Sequence, residues 1–285
     1  IDARGANRHA SVVRFYPALR DQAVARRIYD AELHRALKQE EFALFFQPQL
    51  RLADGAPVGA EALIRWLHPT RGVLSPAAFL PQLEGGVLAE AAGTWVIEAA
   101  CAELARWRHI RPDFRVSVNL FAAQFRSGRL PGVVRDALAA RGLPGEALEL
   151  EITENIILDD AAHLLAQLNE LRALGIRLSF DDFGTGFASL NMLRTYPVTD
   201  IKIDRSFTQV IQTSPKDRAI ILALLDLAEQ FQIGVVAEGV ERQEDHEFLR
   251  AHGCTKGQGY LYSKPAPAPV FEDWLRRSEA ATSGA

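Results

Sequence analysis

Residues 42–66, with the sequence FALFFQPQLRLADGAPVGAEALIRW, decide the fold of this chain. Two strand-like runs, residues 42–51 and 58–66, are separated only by residues 52–57. A connection this short, with Asp54 and Gly55 as its turn, cannot hold a crossover helix. The two runs therefore predict an antiparallel hairpin.

After this hairpin, strand-like and helical runs alternate along the chain. Further strands are predicted at residues 114–121, 148–153, 176–183, 200–207, 233–240 and 257–262, and helices at 23–39, 89–108, 130–141, 161–174, 189–195, 216–230, 243–251 and 269–277. This order predicts an α/β fold, a modified TIM (β/α)8 barrel whose first strand is antiparallel to the other seven. The alternative, an open doubly wound sheet, needs a glycine-rich phosphate loop after an early strand, which the sequence lacks.

The composition narrows the classes of protein that fit. Of the 285 residues, 48% are hydrophobic and 24% are charged, which is typical of a globular chain and excludes disorder. The net charge of −4 argues against a protein that coats DNA. Two widely separated cysteines, Cys101 and Cys254, predict buried thiols and a cytoplasmic location, and no apolar run predicts membrane contact. Residues 1–28 are predicted to be a linker and residues 279–285 a flexible tail.

Alternation along the strands predicts which side chains face the barrel interior. In residues 200–204, DIKID, the two isoleucines share one face, and Asp200, Lys202 and Asp204 share the other. The same parity places one polar residue inside each strand from the second onward: Glu61, Asn119, Glu151, Asp181, Lys202, Glu238 and Gln258. Most of them lie at carboxyl-terminal strand ends, where barrel enzymes build their active sites.

Each of these residues alone also fits a helix N-cap or a surface acid, and Asp181 and Asp182 before Gly184 also fit a tight turn. Together, however, converging carboxylates would repel one another, and a divalent cation would remove that repulsion. Oxygen donors without a pair of histidines at metal spacing favour Mg²⁺ or Mn²⁺. Asp181 could bridge two ions, and a single ion remains an alternative.

A series of short motifs resembles, in the same order, the EAL-domain family of cyclic di-GMP phosphodiesterases. The motifs are Phe46-Gln47-Pro48, Glu61-Ala62-Leu63 with IRWLHP at residues 64–69, Val118-Asn119-Leu120, EITE at 151–154, DDFGTG at 181–186, KIDRSF at 202–207, AEGVE at 237–241 and Gln258-Gly259-Tyr260. The resemblance covers about residues 28–274 and predicts an EAL domain at residues 29–278. Residues 5–15 resemble, more weakly, the end of a diguanylate-cyclase (GGDEF) domain, which implies an upstream regulatory domain.

The resemblance implies a role for each matching residue. Glu61, Asn119, Glu151 and Asp181 would bind a first metal ion, and Asp181, Asp182 and Glu238 a second. Lys202 would hold or activate the attacking water, with Glu238, Glu61 and Asp204 completing the catalytic set. Gln47, Arg65, Gln258 and Glu241 would contact the substrate, and Glu154 would anchor the loop at residues 182–189, which in this family links metal binding to dimerisation. Phe46, Phe121 and Asn155 depart from the family's usual residues without removing a metal ligand.

The implied function is metal-dependent hydrolysis of cyclic di-GMP to linear pGpG by a cyclic-guanylate-specific phosphodiesterase. An alternative is a noncatalytic receptor that binds cyclic di-GMP and acts through protein contacts. Such members of the family usually lack an acidic ligand, whereas this chain has the whole set. A third possibility, compatible with catalysis, is an interaction module that forms a homodimer through residues 183–190 and the following helix.

Overall fold

The computed structural model describes residues 17–153, 156, 161–185 and 190–283. In this part of the chain, ten strands form one sheet. The strands are β1 (Phe42–Arg51), β2 (Pro57–His68), β3 (Gly72–Leu74), β4 (Arg115–Asn119), β5 (Leu148–Ile152), β6 (Arg177–Phe183), β7 (Asp200–Ile203), β8 (Gly234–Ala237), β9 (Lys256–Gln258) and β10 (Ala266–Pro267).

Helices surround this sheet in the described residues. They are α1 (Pro17–Lys38), α2 (Leu80–Glu84), α3 (Ala89–Trp107), α4 (Ala122–Arg126), α5 (Leu130–Ala139), α6 (Ala161–Ala173), α7 (Leu190–Thr195), α8 (Arg205–Thr208), α9 (Pro215–Phe231), α10 (Gln243–Ala251) and α11 (Ala268–Ser283). Not one of these helices has the length and apolar character needed to cross a membrane.

The sheet closes on itself to form a barrel. Its strands follow the order β1, β9, β8, β7, β6, β5, β4 and β2, and pairing between β1 and β2 closes the ring. β1 is antiparallel to both β2 and β9, whereas neighbouring strands from β2 through β9 are parallel. The short strands β3 and β10 pair antiparallel with β2 and β1, outside the ring. The predicted barrel with an antiparallel first strand is confirmed.

Several strands are shorter than predicted, and the clearest cases are β7, β8 and β9. β7 ends at Ile203 instead of residue 207, because Asp204 Oδ1 accepts a hydrogen bond from the Ser206 amide at 2.9 Å and α8 begins there. β9 ends at Gln258 instead of residue 262. Gly259 then packs on the backbone of Val240, where a Cβ would lie 2.1 Å from the Val240 carbonyl oxygen. Only glycine fits this close approach.

Both ends of the described chain are more helical than the sequence predicts. α1 begins at Pro17, inside the predicted linker, and the Tyr29 hydroxyl donates to the Ala78 carbonyl at 2.7 Å. α11 continues to Ser283, through most of the predicted tail, and Glu279 pairs with Arg111. The predicted limits of the domain and its linker remain predictions.

The apolar core lies between the barrel and the helices. One part is an aromatic cluster in which the Trp107 ring on α3 lies 4.6 Å from Phe46 on β1 and 4.7 Å from Phe271 on α11, measured between ring centroids. Phe46, Trp107 and Phe271 are buried, at 0%, 0% and 1% exposure. Phe46, which departs from the family pattern, therefore faces the helices, while Gln47 and Gln49 face the interior.

Replacing Phe271 with alanine tests this cluster. Loss of a buried phenylalanine should lower the free energy of unfolding by about 3–5 kcal/mol, through lost burial and the cavity left behind. The neighbouring Val270, which is 56% exposed on the same helix, provides the control, since Val270→Ala should change stability by less than about 1 kcal/mol. Urea unfolding followed by circular dichroism measures both values. Equal losses in the two variants would contradict the packing described here.

Candidate active site

The buried Lys202 lies among four carboxylates at the carboxyl-terminal end of the barrel. Lys202 Nζ is 2.6 Å from Glu238 Oε1 and 2.7 Å from Glu151 Oε2. It is 3.2 Å from Asp181 Oδ1 and 3.6 Å from Glu61 Oε1. The lysine is fully buried. We refer to these five residues as the lysine–carboxylate centre.

The strand pairing explains why these side chains meet. Glu151, Asp181 and Lys202 lie on the consecutive strands β5, β6 and β7, Glu61 lies on β2, and Glu238 follows β8 directly. Each is at an inward position of its strand or at the strand end, so the closed barrel directs their side chains to one point. The Glu238 amide still donates to the Ile203 carbonyl at 3.0 Å, which fixes the residue beside Lys202.

The charges in the centre shift one another strongly. Burial opposes a charged Lys202, but the surrounding carboxylates outweigh it and raise the pKa of the ammonium well above its usual range. Burial raises the pKa of Glu238 to about 8, against the attraction of Lys202. Burial also raises the pKa of Glu151 well above normal. At Glu61, burial is outweighed by Lys202, Gln258 and Asn119, and the pKa is lowered.

Side chains of the lysine–carboxylate centre, together with the neighbouring Asp182, fit a divalent cation. Ligand oxygens of Asp181, Asp182 and Glu238 lie within 4.8 Å of one another. Glu151 Oε1 is buried and has no hydrogen-bond partner among the described residues. Because hard cations prefer oxygen ligands and relieve repulsion between carboxylates, this donor set suits Mg²⁺ or Mn²⁺.

Asp182 has an unusual backbone and an unusual acidity. Its φ of 53° lies in the left-handed region, which aspartate tolerates better than most residues. Burial and the nearby charges of Asp181 and Asp204 raise the pKa of Asp182 to about 6. Asp204 was predicted to share the inward face with Lys202, but its carboxylate caps α8 and lies beside Asp182. It therefore lies next to the second predicted metal position, outside the lysine–carboxylate centre.

Amide side chains connect the centre to the barrel seam. Asn119 Nδ2 donates to Glu61 Oε1 at 2.8 Å. Gln258 Nε2 donates to Glu61 Oε2 and, at 3.2 Å, to Gln47 Oε1, while Gln47 Nε2 donates to the Ser263 carbonyl at 3.2 Å. The predicted metal ligand Asn119 and the predicted substrate residues Gln47 and Gln258 thus form one chain of hydrogen bonds with Glu61.

The other predicted site residues lie farther out. Arg65 donates to the Ile64 carbonyl at 2.9 Å, and its guanidinium lies 5.5 Å from the centroid of the Phe45 ring. The exposed Glu241 accepts a hydrogen bond from Gln209 at 3.0 Å. Neither residue touches the lysine–carboxylate centre. Glu154 and Asn155 lie outside the described residues, as does much of the predicted loop at residues 182–189.

Beside the centre lies a cavity of about 390 Å³ that was not predicted from the sequence. Asn119, which donates to Glu61, also lines this cavity, and the remaining wall is mainly apolar: Ala62, Leu63, Ile64, Pro76, Leu80, Glu84, Val96, Leu120, Phe121, Ala122, Thr153 and Ile156. Phe121, another departure from the family pattern, is part of this wall. The volume and the mainly apolar lining are typical of a small-molecule binding site.

Comparisons with known proteins agree with this geometry. The sequence model of the EAL domain matches residues 30–265. An uncharacterised signalling protein of Caulobacter vibrioides is 42% identical over 264 residues, which is 92% of this chain and 32% of that protein. The cyclic di-GMP phosphodiesterase NbdA of Pseudomonas aeruginosa is 40% identical over 249 residues, covering 87% of this chain and 32% of NbdA. The chain thus spans about a third of the length of these relatives.

A solved structure described as the PaMucR phosphodiesterase in complex with c-di-GMP superimposes with a TM-score of 0.81. It is 37% identical in sequence, and the match covers 85% of this chain and 99% of that one. The family match, the relatives and the shared barrel lead to one conclusion: this chain belongs to the EAL-domain family.

Proposed function

We propose that this EAL domain hydrolyses cyclic di-GMP to linear pGpG with the help of Mg²⁺ or Mn²⁺. The observation that carries the proposal is the lysine–carboxylate centre, in which Lys202 lies within 4 Å of the predicted metal ligands Glu61, Glu151, Asp181 and Glu238. The remaining acidic metal ligand of the predicted set, Asp182, lies beside Asp181 and Glu238. The relative NbdA is named as a phosphodiesterase for the same nucleotide, and PaMucR is described in complex with it.

Two groups of residues would hold the cations. Glu61, Asn119, Glu151 and Asp181 would bind one ion, and Asp181, Asp182 and Glu238 the other, with a single ion as the simpler alternative. Bound divalent cations would supply Lewis-acid stabilisation of the charge on the phosphoryl oxygens and lower the pKa of the attacking water.

The proposed role of Lys202 follows from its positive charge. The carboxylates keep its ammonium protonated, so it can donate a hydrogen bond but cannot accept a proton at neutral pH. Lys202 Nζ would therefore hold the attacking water by its oxygen and orient it toward the phosphorus. The water oxygen forms the new P–O bond and releases a proton to solvent as the bond from phosphorus to one 3′ oxygen breaks. The 3′ oxygen leaves with the bonding electron pair and takes up a proton, which gives a 3′ hydroxyl and leaves a 5′-phosphate on pGpG.

The remaining residues would bind the nucleotide. Gln47 and Gln258 lie beside Glu61 and can exchange hydrogen bonds with the substrate, while Arg65 and Glu241 lie at the rim. The mainly apolar cavity next to Asn119 is large enough for a guanine ring. A homodimer, control by an upstream domain and a cytoplasmic location remain part of the proposal.

Incubation of the chain with cyclic di-GMP and Mg²⁺ or Mn²⁺ tests the reaction, and chromatography separates the product pGpG. The chain should form pGpG, and EDTA should stop it. Asp181→Asn should lower kcat at least about 100-fold, because it removes a carboxylate placed in both metal groups. The exposed Asp136 on α5 offers the same substitution as a control, and Asp136→Asn should retain kcat within about twofold.

Binding of cyclic di-GMP without pGpG formation under these conditions would favour the noncatalytic receptor over the enzyme. Full activity in Asp181→Asn would overturn the metal assignment while leaving the reaction established.

The raised acidities predict how stability depends on pH. The folded chain keeps a proton on Glu238 up to a pKa of about 8, whereas the unfolded chain releases it near pH 4.5. The folded state therefore binds more protons in this range, and without divalent cations its stability should fall as the pH rises from about 5 to 8. The slope from this one group can reach about 1.4 kcal/mol per pH unit.

Thermal unfolding at several pH values measures this effect. Each measurement is made with and without roughly 10 mM Mg²⁺. Mg²⁺ should raise the midpoint most at pH 8, where more of the carboxylates are ionised and repel one another than at lower pH. Glu238→Gln should flatten the metal-free slope. A slope equal to that of the unsubstituted chain would show that Glu238 ionises normally, contrary to the expectation.

A further inference from the structure

A second polar cluster lies in the barrel interior, at the opposite, amino-terminal end. Asp200 Oδ1 is 2.9 Å from Lys256 Nζ, and Asp200 Oδ2 pairs with Arg177 and accepts from the Thr199 hydroxyl at 2.8 Å. Glu149 Oε2 lies 3.7 Å from Arg177 Nε and 3.8 Å from Lys256 Nζ. We call Glu149, Arg177, Asp200 and Lys256 the basal cluster.

The basal cluster is deeply buried and electrically balanced. Asp200, Glu149 and Lys256 are 0%, 2% and 8% exposed. Two carboxylates face two cations, so the cluster carries no net charge while its pairs are intact. Burial alone would raise the pKa of Asp200, but Lys256 and Arg177 outweigh it and the pKa is lowered. Asp200 is therefore a fixed negative charge that depends on its partners.

Each member of the basal cluster shares a strand with a residue of the active site. Glu149 precedes Glu151 on β5, Arg177 precedes Asp181 on β6, Asp200 precedes Lys202 on β7, and Lys256 precedes Gln258 on β9. Even spacing along a strand keeps both side chains on one face. Two residues span roughly 7 Å, and the four residues from Arg177 to Asp181 span roughly 13 Å. The contacts within the basal cluster therefore join the same strands that must be aligned at the active site.

The remaining strand of this group, β8, contributes an empty position. Gly234 pairs with Asp200 across the ladder, and a Cβ on Gly234 would lie 2.2 Å from Asp200 Oδ1. The absence of a side chain there lets Asp200 on β7 and Lys256 on β9 meet across β8. A larger residue at position 234 would displace the Asp200 carboxylate, so this glycine belongs to the same arrangement.

We propose that Asp200 is a positioning residue for Lys202, acting through the alignment of strands β5 to β9 and through the charge balance of the basal cluster. It touches none of the residues placed at the cations or the nucleotide. This inference rests on the proposed phosphodiesterase reaction. Loss of Asp200 would let β7 shift relative to its neighbours and would leave an uncompensated positive charge below the carboxylates that bind cations.

Variants that change or restore the charge balance of the basal cluster distinguish a positioning role of Asp200 from a purely structural one. Asp200→Asn leaves the basal cluster with one excess positive charge, whereas Asp200→Asn combined with Lys256→Gln restores neutrality. A purely structural role predicts that the double variant is at least as impaired as the single variant, because more hydrogen bonds are lost. The proposed role predicts partial recovery, because the field of Lys256 no longer opposes the cation.

The experiment compares these two variants with Glu41→Gln. Glu41 is a matched control, because it also accepts three hydrogen bonds, at 2.8 and 3.2 Å from Arg35 and 2.9 Å from Trp66 Nε1, but precedes β1 outside the barrel interior. Steady-state kinetics give kcat and KM for cyclic di-GMP. Isothermal titration calorimetry gives the Mg²⁺ affinity without nucleotide, and urea unfolding gives stability.

Asp200→Asn should lower kcat by about 10- to 100-fold, with KM within about threefold, and weaken Mg²⁺ binding about tenfold. The double variant should recover at least about threefold in Mg²⁺ affinity. Glu41→Gln should lose stability but keep kcat and Mg²⁺ affinity within about twofold.

The proposal is overturned if folded Asp200→Asn keeps both kcat and Mg²⁺ affinity within twofold, or if the double variant binds Mg²⁺ no better than the single one. If the unsubstituted chain binds Mg²⁺ without forming pGpG, the proposed reaction has failed, and the Mg²⁺ affinities of the variants still decide the role of Asp200.

If Asp200→Asn does not fold, Arg177→Lys provides the test. It keeps the charge count but loses part of the pairing with Asp200, and should lower kcat about threefold or more; unchanged kcat would overturn the proposal.

Discussion

The attraction between the Lys202 ammonium and the carboxylates around it is the constraint on which the site depends. A lysine with no exposed surface cannot remain charged without partners, and clustered carboxylates would repel one another without the lysine. Each group is tolerated because the others are present. All of them must therefore reach one point from different strands, with the nitrogen between 2.6 and 3.6 Å from every carboxylate. If a strand were displaced by one residue, its side chain of the lysine–carboxylate centre would point out of the barrel.

This requirement leaves the barrel with a polar interior, so the apolar stabilisation must come from outside the ring. The aromatic cluster of Phe46, Trp107 and Phe271 lies between strands and helices and is buried almost completely. At the seam where antiparallel β1 meets β9, uncharged amides take the interior positions, and Gln49 donates to Gln258 at 3.0 Å. Amides can both donate and accept, so they link Glu61 to the seam without adding charge.

Much of this architecture follows from the alternation of side chains along the strands. The short connection after residue 51 predicted the antiparallel hairpin, and parity predicted that Glu61, Glu151 and Lys202 would share the interior. The predicted strand at residues 200–207 was too long, because residues 205–207 continue the alternating pattern although the chain has already turned into α8. Local capping by the Asp204 carboxylate competes with strand extension, and alternation alone does not distinguish the two.

The cavity and the basal cluster could not be predicted from the sequence, for a different reason. The cavity joins Leu80 on α2 with Ile156, which follows β5, and no local pattern relates these positions. The link between Asp200 and Lys256 crosses β8 above Gly234, so it depends on what is missing from a third strand. Such contacts become visible only once the closed order of the strands is known.

The charge of the lysine–carboxylate centre bears on the choice between an enzyme and a receptor. Four carboxylates against one ammonium leave an excess of negative charge when all are ionised. Burial, together with the charges of Asp181 and Glu61, raises the pKa of Glu238 to about 8 against the attraction of Lys202. Recognition of a nucleotide alone does not require this arrangement, because replacing one acid by its amide would relieve the repulsion while keeping the shape. This excess negative charge would attract a divalent cation, which would relieve the repulsion between the carboxylates. The complete acidic set therefore favours a site built for cations and for phosphoryl chemistry.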